Sequence, residues 1–318
     1  MSTSGSTKAP ARIKAKQRPG DRIFAGSAVT AGSLILAILA AVAAFLIIQS
    51  AGVFTTPNED IQILQGQSFW SYVGPLVFGT LWASFLALLF AVPLAIGIAL
   101  FISHYAPRRL AQGLGYIIDL LAAVPSIVFG LWGATVLAPA VQPFYAWLVD
   151  NFGWFPLFSG PVSGTGRTIL TAAVVLAVMV LPIITALSRE VFLQTPVLHE
   201  EAALALGATR WEMIRIAVLP FGRPGIISAA MLGLGRALGE TIAVAVVLSA
   251  AGTVTFDLLT SQNPGTIAAN IALSFAEAYG VNVDVLIATG LILFAITLIV
   301  NSLARYIVSR RSAFSGAN

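Results

Sequence analysis

Residues 23–58 carry no charged side chain, and neither do residues 61–103. A helix needs about 20 consecutive apolar residues to cross a bilayer. Both runs exceed that. Composition agrees: 58% of the 318 residues are hydrophobic and 9% are charged, against about 25% charged in an average soluble domain. The expected fold class is an all-α integral membrane protein.

Hydropathy divides the chain into six spans, at about residues 28–50, 73–101, 114–137, 168–187, 224–248 and 285–307. Pro93 marks a kink in the second span. The third contains Asp119 and Pro125, and the fifth contains Arg236 and Glu240. Residues 266–276 read as a re-entrant or surface helix. The Pro- and Trp-rich stretch 139–167 reads as a loop with aromatic interface anchors. Residues 1–27 read as a disordered basic tail, 28–310 as the transmembrane domain and 311–318 as a C-terminal tail.

Charge sets the orientation. Every Lys and Arg except Arg167 and Arg236 falls in the N-terminal tail, the loops after spans two and four, or the C-terminus. Positive residues mark the cytoplasmic side, so both termini are expected there. Membrane lipid, not nucleic acid, explains the net charge of +4. The h-region of a cleaved signal is about 7–15 residues. The first apolar run is longer and lacks a clear small-x-small site followed by a polar mature start, so it is read as a retained span.

Several chemistries are excluded. With no Cys, disulfides, thiolate metal sites and Cys nucleophiles are impossible. Only His104 and His199 offer imidazole, and no metal site is expected. All three Lys lie in the first 16 residues, so no Gly-Lys-Ser/Thr loop can bind ATP in the P-loop manner. Ser163-Gly164-Thr165-Gly166 lacks the glycine spacing of a nucleophile elbow. No catalytic residue, and no cofactor bound by this chain, is expected.

The loop between spans four and five is the most informative stretch. Thr195-Pro196 suits a helix start, and His199-Glu200-Glu201-Ala202-Ala203 continues it. Gly207 suits a left-handed helix end. Thr209 with Glu212 three residues on forms a capping box for a second helix, followed by Arg210 and Arg215. Pro220 is expected to stop that helix. The product is a helix–turn–helix whose small Ala face lets a partner approach closely. A solvated connecting loop is the plainer alternative.

Glu201-Ala202-Ala203, then Gly207, then Leu219-Pro220 resembles the EAA loop of ABC importer permeases. The likeness extends to Ala122–Gly133 and to Gly233-Leu234-Gly235-Arg236-Ala237-Leu238-Gly239-Glu240-Thr241, and covers about residues 73–308. In these segments the chain resembles phosphate-transport permeases of the PstC type. One departure is Ala217, where the family often has Ile; here Ile216 stands beside it. The resemblance implies a type I ABC importer permease fold in the bacterial cytoplasmic (inner) membrane. It also implies a PstA-type sister permease, a cytoplasmic ATPase dimer that binds ATP-Mg, and an extracytoplasmic phosphate-binding protein. Glu200, Glu201, Ala202, Ala203, Gly207, Arg210, Leu219 and Pro220 would then couple to the ATPase.

Arg236 and Glu240 are four residues apart, one turn on a helix. A charge near the bilayer centre costs at least ~2.5–3.5 kcal/mol, so both need a partner or a wet pathway. Two readings stay open: Arg236 meets the anion with Glu240 as its counter-charge, or the two form a structural ion pair. Arg167 is either a guide for the anion or an interface anchor. Gly235-x-x-x-Gly239 is expected to be a close helix contact. The functional alternatives are a sulfate or molybdate importer, a secondary transporter, and a membrane scaffold or sensor.

Overall fold

The structure, a computed structural model, describes residues 19–312, with side chains from 20 to 306. The basic residues of the N-terminal tail before Pro19 lie outside the described residues. The chain divides into two compact units, residues 1–48 and 49–318. Helix α1 (Pro19–Thr55) accounts for the described part of the first unit. It starts inside the stretch assigned to the tail. Its side chains, such as Ile35, Leu36 and Phe45, are exposed, as a lipid-facing helix requires.

The second unit is a bundle around α6 (Ile169–Leu193). Helix α2 (Phe69–Leu100) starts at Ser68, whose hydroxyl accepts from Ser71 N at 3.2 Å. It runs on through Pro75 and Pro93. Ala83, Ala87, Ala91, Ala95 and Ala99 fall four residues apart on it, and each is at most 1% exposed. This row lies along an i±4 ridge, where small side chains let a neighbouring helix come close. Helix α6 carries Ala172, Ala173, Leu176 and Val180, in the same buried cluster as Ala83, Ala87, Ala91 and Ala95. Lipid is as apolar as these side chains, so van der Waals packing rather than water exclusion holds the pair.

The third span is not where hydropathy put it. A break at Pro125 separates α3 (Arg108–Ala122) from α4 (Ser126–Trp132). Proline disfavours helical geometry in the residue before it. A π-turn at Gly133–Leu137 leads into α5 (Ala138–Phe152). The helix long and apolar enough to cross a membrane is therefore Ser126–Phe152. Much of the expected 139–167 loop is helical, and Asp119 is an exposed residue of α3.

After α6 come α7 (Val197–Ala205) and α8 (Arg210–Met213). Pro220 does not end that segment. A π-turn at Ile214–Val218 joins α8 to α9 (Leu219–Leu238). Proline inside an α-helix clashes with the carbonyl four residues back, and a wider turn just ahead of the ring accommodates it. Pro139 follows the earlier π-turn by the same two residues. Helix α9 ends at Leu238, and α10 (Ile242–Val247) starts after a break at 239–241. Helix α11 (Ile267–Ser274) is the short helix expected near 266–276, and α12 (Val281–Ser312) is the last span. Six helices among the described residues suit membrane crossing, the number read from hydropathy.

Non-helical segments close the N-terminal end of α6. Asn263 is fully buried there: its Oδ1 accepts from Ile169 N (3.0 Å), and its Nδ2 donates to the carbonyls of Arg167 (3.3 Å) and Ser249 (3.0 Å). Thr171 donates to the Gly166 carbonyl, so the buried Tyr145 hydroxyl at 3.0 Å donates to Thr171 and ties α5 to α6.

Candidate functional site

Two regions carry the features singled out by sequence. The first is a cavity of about 720 Å³ between α6, α9 and α12. Arg236, Gly235 and Ser228 of α9 line one wall, Asn301 and Arg305 of α12 the other, and Ile183 of α6 the back. No carboxylate among the described residues lines it. The Nε of Arg236 is buried and, among the described residues, has no hydrogen-bond partner. A buried donor left without an acceptor is costly, and a guanidinium is built for oxyanions.

Glu240 does not share a helix face with Arg236. The helix stops two residues short of it, and its Oε1 accepts from Ala243 N at 3.1 Å. The carboxylate thus caps α10, where the helix dipole favours a negative charge. No ion pair joins Arg236 to Glu240 among the described residues. Arg167 is exposed at the N-terminal end of α6 and does not line this cavity.

The expected contact through Gly235 and Gly239 is not made within this chain. Nothing lies within 4 Å of where a Gly235 Cβ would stand. The contact glycines of α9 are instead Gly222, against Phe192, and the two tightest, Gly225 and Gly233. A Cβ on Gly233 would come within 2.7 Å of Ile184, and one on Gly225 would meet Val191. All three face α6 and were missed, because glycine in a helix does not announce which neighbour it meets.

The second region is the segment between α6 and α9. Gly207 has φ +86°, the left-handed geometry glycine adopts freely. Thr209 forms the full capping box: its hydroxyl accepts from Glu212 N, and its own N–H donates to Glu212 Oε2 at 2.7 Å. Ala203 is buried in a cluster with Ala99 and Leu100 of α2, Phe192 of α6 and Met213, and Leu219 packs against it. Glu201, Ala202 and Arg210 stay exposed. His199, Ala202, Leu206, Pro220 and Phe221 line an open groove of about 570 Å³, and Leu206 is 90% exposed. Glu200 turns away and faces His104 at 3.5 Å.

A family model described as "Binding-protein-dependent transport system inner membrane component" matches residues 91–313. That range spans most of the chain and both regions. The chain belongs to this family of transport-system inner membrane components. One family relative is "Phosphate transport system permease protein PstC 2" of Mycobacterium tuberculosis (strain ATCC 25618 / H37Rv). It is 46% identical, over 96% of this chain and 98% of that protein. The PstC of Mesorhizobium japonicum is 40% identical over 93% and 92%. That of Mycobacterium leprae is 51% identical over 73% of each.

Solved structures agree on the fold. A bacterial ABC transporter for alginate import has a chain that superposes with a TM-score of 0.59, at 19% identity, over 91% of this chain and 99% of that one. The MetNI methionine ABC transporter gives 0.51 at 20% identity, over 75% and 93%. The inner membrane component fold is thus the ABC importer permease fold expected from the EAA-like loop. Family membership makes the chain a membrane transport subunit.

Proposed function

We propose that this chain is the PstC-type transmembrane subunit of an ATP-driven inorganic phosphate importer in the bacterial inner membrane, with both termini cytoplasmic. The observation that carries the reading is Arg236. It lies beside a cavity that no carboxylate among the described residues lines, with its Nε unsatisfied. The relatives named for phosphate transport at 40–51% identity support the choice of anion.

In this reading a phosphate-binding protein delivers the anion, and a PstA-type sister permease supplies the other half of the pathway. Residues 199–220 dock on an ATPase dimer that binds ATP-Mg. Ala203 anchors the segment on α2 and α6, so movement of the docked surface is passed to those spans by packing. The groove beside His199, Ala202 and Pro220 receives the ATPase. Phosphate passes Arg236, whose charge offsets the loss of water. Glu240 holds the start of α10 and keeps negative charge out of the cavity. Arg167 guides the anion at the far end. No covalent step occurs on this chain.

The test is uptake of labelled phosphate and sulfate in cells lacking the chain, complemented by wild type or Arg236→Gln, with membrane insertion checked. Loss of phosphate uptake, restored by wild type and reduced at least tenfold by Arg236→Gln, is expected. Full uptake with Arg236→Gln would remove Arg236 from the pathway. A change in sulfate uptake alone would replace the substrate.

A further inference from the structure

We propose that Arg305 of α12 is a second anion-holding residue of the Arg236 cavity, so that a single phosphate group is gripped between α9 and α12. The inference rests on the reading of that cavity as the phosphate pathway and deepens it. By sequence, Arg305 belongs with the C-terminal charges that fix topology. The structure places it instead on the α12 side of the cavity that Arg236 also lines, with Asn301 one turn before it.

Three observations support the assignment. First, two guanidinium groups border one cavity and, among the described residues, no carboxylate lines it. Like charges beside a low-dielectric space repel, and an anion between them reverses the sign of that interaction. Second, Arg236 Nε is buried without an acceptor, and neither Arg305 nor the Asn301 amide makes a side-chain hydrogen bond among the described residues. Donors on two helices are thus unspent. Third, the Ser228 hydroxyl is spent, since it donates to the Pro224 carbonyl at 2.9 Å. The free donors therefore come from the two arginines and the amide, a set suited to a tetrahedral oxyanion. Because α9 and α12 each supply one guanidinium, the grip tightens or opens as the two spans move relative to each other.

The same chemistry would hold inorganic phosphate or the headgroup of an anionic lipid, and the test separates them. The chain has no Cys, so Ser228→Cys gives one reporter thiol in the cavity wall. The full transporter complex carrying it is placed in phosphatidylcholine vesicles, and labelling by a negatively charged thiol reagent is timed. Inorganic phosphate is expected to slow labelling, and chloride at equal ionic strength is not. Adding Arg305→Gln should raise the half-protecting phosphate concentration about tenfold. Arg305→Lys keeps the topology charge and should recover only part of the loss. Protection seen only in phosphatidylglycerol vesicles without added phosphate, and removed by Arg305→Gln, would keep the two-arginine site and name the lipid headgroup as its occupant. Protection absent in both vesicle types, or unchanged by Arg305→Gln, overturns the proposal. Full uptake with Arg236→Gln would instead overturn the transport reading while leaving the Arg305 result standing.

Discussion

His104 Nε2 lies 3.5 Å from Glu200 Oε1, joining the end of the second span to the first helix of the segment between α6 and α9. The ring is oriented from its other side. Ser103 Oγ donates to the Ala99 carbonyl at 2.8 Å and so accepts from His104 Nδ1 at 2.7 Å. With Nδ1 carrying a proton, Nε2 attracts Glu200 only when the ring is charged, and even a full ion pair near the surface is worth roughly 0–1 kcal/mol. His104→Phe is therefore expected to weaken ATPase retention by no more than about fivefold, measured as co-purification with the complex. A complete loss of the ATPase would mean that His104 does more than orient Glu200.

Asn263 ties three backbone groups together at the N-terminal end of α6. Asn263→Ala strips partners from Ile169 N and from the carbonyls of Arg167 and Ser249, all held by one side chain. Each buried orphan costs about 1–3 kcal/mol. The variant is expected to unfold well below wild type in a thermal scan in detergent. A midpoint within about 2 °C of wild type would show that water takes over these bonds.

Two glycines give opposite expectations. A Cβ on Gly79 would run into the backbone carbonyl of Gly265, which cannot swing aside as a side chain can. Gly79→Ala should lower the amount of folded chain in membranes several-fold. Gly235→Ala meets only open space and should leave abundance unchanged. Normal abundance for Gly79→Ala would mean that the α11 end shifts to make room.

Thr209→Ala removes one half of the capping box. The cost is about 1 kcal/mol, confined to a four-residue helix. Faster amide exchange over residues 209–213 is expected, with little change in global stability. Unchanged exchange there would show that packing of Met213 and Ile214, not the cap, holds the turn.

Much of this architecture is legible in the residues alone. The charge-free runs mark the first two spans, because burying a charge in lipid is costly. Thr209, Glu212 and Gly207 announce their turn through local hydrogen bonds and backbone geometry, and local chemistry survives folding. The third span was displaced because apolar α3 residues such as Tyr116 and Leu120 look like span residues. Only Pro125 reveals that the helix breaks there. Spacing of four placed Arg236 and Glu240 on one face, but it assumed an unbroken helix. The break at 239–241 and the Arg305 wall depend on how α9 meets its neighbours, which periodicity does not encode. The Ala83-to-Ala99 row has four-residue spacing, but alanine is too common in an apolar span for that spacing to single out a contact face.

The π-turns at Gly133–Leu137 and Ile214–Val218 have a consequence for chain length. A π-turn is an α-helix with one residue more than it needs, so each amounts to an insertion that the span has absorbed. The one at Ile214–Val218 holds Ile216 and Ala217, just ahead of Leu219 and Pro220. Removing a single residue there would restore ordinary winding without shortening the helix axis by a full turn. Deletions that are fatal elsewhere in the span would thus be survivable at this position, and alignments of such chains should place their gaps just ahead of a proline.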